Sequence, residues 1–159
     1  MINIQTLQTE ELVSLYSKII KELKKRKIIR TNNVVGELGE FYAMEIYNST
    51  PNLPNLAPAP IGTENIDAID RKGKRYSIKS TSTSTTSVFY GLQEKGSTKI
   101  DEQSFEYVII CQFDDDYALE HIYQIDWNTF LKHKHWQSRM KAWYLTITKK
   151  LILDSKIIY

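Results

Sequence analysis

Asp67 and Lys79 stand twelve positions apart in the segment NIDAIDRKGKRYSIKS, residues 65–80. Between them lies a basic turn, Arg71 to Arg75, with Lys72-Gly73 at its tip. The flanking stretches Ile66–Asp70 and Arg75–Lys79 read as the two strands of a β-hairpin. Such a hairpin brings a carboxylate and an ammonium group to one sheet edge. A carboxylate that holds Mg²⁺ beside a lysine that handles a water is a group set for hydrolysing a phosphodiester. Strand alternation puts Ser77 and Lys79 on one face and Tyr76, Ile78 and Ser80 on the other. Asp70 is a second acid in the hairpin, with basic neighbours in the turn that can neutralise it.

A second group lies upstream in GELGEFYA, residues 36–43. The spacing of Val34, Val35, Leu38, Phe41, Tyr42 and Ile46 predicts a helix from about Val34 to Asn48, capped from the run Thr31-Asn32-Asn33. Glu37 and Glu40 are three apart on it and share a face.

Together these stretches resemble the PD-(D/E)xK nuclease superfamily, which includes many restriction endonucleases, resolvase-like proteins and repair nucleases. Asp67 matches the first acid of that pattern and Lys79 the closing lysine. Glu40 and Ala43 match a Glu-x-x-Ala helix found in resolvase-like branches. Ser77 stands where the pattern has its second acid. The resemblance covers 33–87 and implies a restriction-endonuclease-like αβββαβ core, a central mixed sheet flanked by helices. It implies Mg²⁺ as cofactor, held by Asp67, by Glu40 in place of the missing acid, and by the backbone carbonyl of Ile78. Asp67, Lys79 and Glu40 are then the catalytic residues, with Ser77, Glu37 and Asp70 as further candidates. The expected activity is a Mg²⁺-dependent deoxyribonuclease of type II restriction kind acting on double-stranded DNA. Two alternatives stay open: a nucleic-acid-binding module of the same fold that does not cut, because Ser77 removes one charge, and a branched-DNA or repair nuclease.

DNA contacts are expected from Lys72, Lys74 and Arg75 in the turn, from Ser80 and Thr81 at the start of the hydroxyl run STSTSTTS, and from Tyr90, Gln93 and Lys95 beyond it. The net charge is only +2, but residues 21–30 hold six basic side chains and one acid, whereas 101–126 hold eight acids and no Lys or Arg. Local basic clusters of this kind suit a protein that grips a polyanion.

The elements that must position these groups follow from patterning. Thr9 to Lys27 reads as a helix with Glu10 and Glu11 in its first turn and Leu12, Leu15, Tyr16, Ile19, Ile20 and Leu23 along one apolar face. Residues 49–60 contain all four prolines and read as an extended connector. Tyr107–Phe113 and Leu119–Ile125 are strands, Trp127–Lys134 a helix capped by Asp126, Trp143–Thr148 a strand, and Lys149–Tyr159 a turn with a short terminal strand. One domain accounts for 1–159, with 1–32 as a helical extension and 33–159 as the core.

The single cysteine, Cys111, sits in an apolar strand and has no internal partner, which fits a cytoplasmic protein. No apolar run is long enough to span a membrane. A Gly-rich phosphate loop, a CxxC pair and a G-x-S-x-G turn are all missing, and His121, His133 and His135 are read as structural. One small domain offers limited surface for recognising a site, so a homodimer on a two-fold DNA target is expected.

Overall fold

The computed structural model describes residues 2–159. Its elements are α1 (Thr9–Lys25), α2 (Val34–Ser49), β1 (Leu56–Pro58), β2 (Ala68–Asp70), β3 (Arg75–Thr81), β4 (Tyr107–Phe113), β5 (Leu119–Asp126), α3 (Trp127–His133), β6 (His135–Gln137), β7 (Ala142–Tyr144), α4 (Lys149–Leu153) and β8 (Lys156–Ile157). Six strands form one mixed sheet in the order β1-β2-β3-β4-β5-β8, and β6 pairs with β7 in a separate hairpin. Only β3 and β4 run parallel. A parallel pair needs a long crossover, and residues 82–106 provide it as an irregular segment without a helix.

The two faces of the sheet carry separate apolar cores. On one, Ala43 and Tyr47 of α2 pack on Tyr76, Ile78, Ile109, Cys111 and Ile122. On the other, Val108, Ile110, Tyr123 and Ile125 pack under Phe89, Phe105, Phe130, Leu145 and Leu151. Alternation along β3 and β4 divides their side chains between the two cores. Helix α2 lies very close to β3: a Cβ added at Gly39 would stand 1.7 Å from Ser80 Oγ. Glycine weakens a helix interior, and here it permits the approach that brings Glu40 to the sheet.

Asn33 caps α2 by accepting from the Gly36 N–H. The proline connector adds β1 at the sheet edge, pairing Leu56–Pro58 with β2. An edge strand tolerates prolines because no further strand needs their N–H. Three expectations change. The apolar face of α1 is not packed in the core, since no residue of α1 is buried. The expected strand at 143–148 is replaced by β7, which joins β6 and not the sheet. The chain beyond Tyr144 leaves that hairpin because Leu145 is buried in the second core and Thr146 bridges to Thr85. Residues 149–153 form a one-turn helix, and the strand that follows α3 into the main sheet is the short β8.

Candidate functional site

The β2–β3 hairpin comes apart at Asp67. Its N–H still donates to the Tyr76 carbonyl at 2.9 Å. The next donor along that edge of β3, the Ile78 N–H, finds no backbone acceptor and donates to Asp67 Oδ2 at 2.6 Å. The carboxylate thus stands in for a strand, and beyond it the edge of β3 is open. In an extended strand the N–H and C=O of one residue face the same edge, so the Ile78 carbonyl points to the side where Asp67 lies. Asn65, two residues earlier, has a φ of 56°, which swings the chain away from the ladder.

Glu40 reaches the same place from α2. Arg30, in the segment between the helices, donates from Nη2 to Glu40 Oε2 at 3.0 Å. Arg30 and Glu37, Glu40, Pro60, Ile66 and Asp67 line one cleft of about 530 Å³ between α2 and the β1 side of the sheet. Lys79 leaves β3 toward the second core, with Nζ 4.7 Å from the centre of the Phe89 ring, a cation–π contact.

The three groups feel one another. Burial raises the pKa of Glu40 and the Asp67 charge raises it further, while Arg30 and Lys79 oppose the shift. Burial also raises Asp67, against the Ile78 N–H bond, Lys79 and Arg30. Lys79 is shifted down by burial in spite of both carboxylates. Two partly buried carboxylates, one of them raised by the charge of the other, form a site that gains from added positive charge. No group of three or more His, Cys, Asp or Glu poised to hold a metal occurs among the described residues. The donor set is two carboxylates and a carbonyl. That suits Mg²⁺, which takes one or two protein carboxylates and leaves its other positions to water and phosphate oxygens.

The other candidates go elsewhere. Ser77 is fully buried, and its Oγ has no hydrogen-bond partner. It shares a face with Lys79 as alternation requires, but that face is the floor of the second core. Glu37 lines the cleft, yet its oxygens are taken: Oε1 accepts from the Thr31 N–H at 2.7 Å and Oε2 from the Arg30 N–H. Asp70 sits at the opposite end of the hairpin. It accepts from the N–H groups of Lys72 and Lys74 at 2.8 and 3.0 Å and from the Tyr76 hydroxyl at 3.2 Å.

The expected DNA-contacting residues do not form one surface. Arg75 is held by Glu106, with Nη2 2.7 Å from Oε1. Lys72 and Lys74 border a separate depression with Asp70, Tyr76, Tyr107 and Lys156. Ser80 Oγ is buried against Gly39 without a partner. Thr81 is buried and donates to the Thr85 carbonyl. Gln93 is tied into the fold, its N–H donating to Asp101 and its carbonyl accepting from the Trp143 indole. Tyr90 and Lys95 remain exposed.

Two residues at the site escape the sequence reading. Arg30 is one, and its signal was available: two glutamates on one helix face call for a nearby cation. Phe89, the platform under Lys79, lies ten residues downstream in an irregular segment where no pattern points to it. No helix among the described residues is long and apolar enough to cross a membrane. Comparison with protein-family models and with curated proteins returns no match for the chain.

Proposed function

We propose that the protein is a Mg²⁺-dependent DNA endonuclease of restriction-endonuclease-like fold. The observation that carries this reading is the open edge of β3, where the Asp67 carboxylate is pinned by the Ile78 N–H and shares its electrostatic environment with Glu40 and Lys79. Asp67, Glu40 and the Ile78 carbonyl are the oxygens that would hold the ion, which when bound neutralises phosphate charge and acidifies a water. The hydrogen bond from Ile78 holds Asp67 Oδ2 and leaves Oδ1 without a hydrogen-bond partner, on a residue that lines the cleft. Arg30 orients Glu40 in the same way. Lys79, lowered by burial, sits on an apolar ring that limits its hydration. It can orient the attacking water or stabilise charge that develops on the phosphate. Ser77, facing away into the core, contributes nothing to this chemistry, so Glu40 is the second acid.

The deciding experiment incubates the protein with supercoiled plasmid and branched duplexes in Mg²⁺ and in EDTA, beside Asp67→Asn. Cleavage that needs Mg²⁺ and Asp67 is the expected result, and the substrate cut assigns a restriction or a repair role. DNA binding without cleavage of any substrate would leave the binding-module reading, which the buried, neutral Ser77 favours.

A further inference from the structure

Helix α1 carries an apolar stripe that its own chain does not cover. Leu12, Tyr16 and Ile19 are 38%, 64% and 48% exposed, and Leu23 continues the line. Their spacing of four, three and four residues is the seam of a two-helix coiled coil. A helix of 17 residues with no buried side chain is marginal alone in water. The charges are divided along its length. Glu10 and Glu11 occupy the first turn, whereas Lys21, Lys24, Lys25, Arg26 and Lys27 crowd the last turns and the exit, with Glu22 among them paired to Arg26.

We infer that a second copy of this chain covers the stripe, with the two α1 helices paired antiparallel. The seam is symmetric about its midpoint between Tyr16 and Ile19. An antiparallel pair therefore sets Leu12 against the partner copy's Leu23, and Tyr16 against its Ile19. It lays the acidic amino end of each helix over the basic carboxyl end of the other and opposes the two helix dipoles favourably. A parallel pair would stack five cations on five. In this register Glu10 and Glu11 of one copy lie against Lys25 and Lys24 of the other, while Arg26 is already paired with Glu22 of its own helix at 2.8 Å, so the charges that complement the stripe are on the helix itself. This inference stands apart from the nuclease reading and would hold for a protein without catalysis.

The test is sedimentation of the full chain at micromolar concentration, followed by cysteine cross-linking. The parent is expected at twice the mass of the chain. Tyr16→Lys combined with Ile19→Lys, at exposed positions, should halve the mass, lower the helical circular dichroism by no more than the share of α1, and leave the urea unfolding of the core unchanged. Leu12→Cys and Leu23→Cys proteins, mixed and oxidised, should cross-link to each other and neither to itself, and the buried Cys111 does not compete. A monomeric parent overturns the inference, as does a double variant that remains dimeric. Self-cross-linking of each cysteine variant overturns the antiparallel arrangement. Co-sedimentation of a monomeric parent with anionic phosphatidylserine vesicles, lost in the double variant, would hand the stripe to a membrane surface instead.

Discussion

The two ends of the β2–β3 hairpin each hold an aspartate that catches backbone N–H groups, and the two aspartates have opposite fates. At the closed end, Asp70 accepts from Lys72, Lys74 and the Tyr76 hydroxyl, so both its oxygens are occupied. At the open end, Asp67 accepts from Ile78 alone among the hydrogen bonds of the fold, and burial raises its pKa. Hydrogen-bond saturation separates them. A carboxylate with both oxygens engaged holds a turn, whereas one with a free oxygen beside a second acid and a lysine is available for an ion. The same contrast recurs one helix away, where Glu37 is saturated by Arg30 and Thr31 and Glu40 has a single partner.

The largest test of this contrast is catalytic. Asp67→Asn should reduce cleavage by roughly 10²-fold or more, the scale expected when one preorganised charged group is lost. Lys79→Ala and Glu40→Gln should do the same, with DNA affinity measured in Ca²⁺ little changed. Asp70→Asn should cut at close to the parent rate. An Asp70 variant as dead as the Asp67 variant would break the distinction between the two ends.

Stability should show the reverse order. Asp70→Ala strands two turn N–H groups and a tyrosine hydroxyl, at a cost of about 1–3 kcal/mol for each buried group left without a partner. Water at the exposed turn lowers that figure toward its smaller end. Urea unfolding monitored by tryptophan fluorescence measures it. Asp67→Ala frees only one N–H and relieves a buried charge, so it should lose less. If Asp67→Ala is the more damaging of the two, its carboxylate is mainly a structural bracket.

Part of this arrangement was legible in the chain. Asp67, Lys79 and Glu40 could be picked out through their resemblance to a known motif, and hairpin and helix spacing, which are local, gave the elements that carry them. The alternation that put Ser77 on the Lys79 side is a property of any strand. What could not be read is which side becomes core: the second core is closed by Phe89, Phe105, Phe130 and Leu145, drawn from segments with no regular pattern in common. One residue of the basic turn has a partner that was unreadable for the same reason. Arg75 reads as a free cation until Glu106, 31 residues away, is folded against it. The mixed sheet was legible in most of its strands, while β6 and β7 are too short to leave a period.

Ser77 sharpens the comparison from the other side. Its buried hydroxyl has no partner, and an unsatisfied buried polar group costs about 1–3 kcal/mol. Ser77→Ala removes that cost while leaving a void smaller than a methyl group. The variant should unfold at equal or slightly higher urea concentration, by up to about 1 kcal/mol, and should cut like the parent. Loss of cleavage in Ser77→Ala would mean that this hydroxyl, and not Glu40, completes the site.

The remaining test concerns acid. Burial would raise the pKa of Glu37, but hydrogen bonds from Thr31 and Arg30 and the Arg30 charge outweigh it, and the net shift is downward from 4.5. The folded state therefore holds the proton less tightly than the unfolded chain. The stabilisation is fully present above the unfolded value of 4.5 and fades as pH falls through the lower folded value. Glu37→Gln removes the titration and places an amide N–H₂ where an acceptor is needed. Near neutral pH the variant should be less stable by about 1.5–3 kcal/mol, the worth of hydrogen bonds to a charged group. Below the carboxylate range the parent loses its advantage, so the two unfolding free energies should draw together as the solution is acidified. Curves that stay parallel from neutral to acid pH would show that the Glu37 charge does not hold the Arg30–Thr31 segment, and with it the claim that saturation makes this glutamate structural would fall.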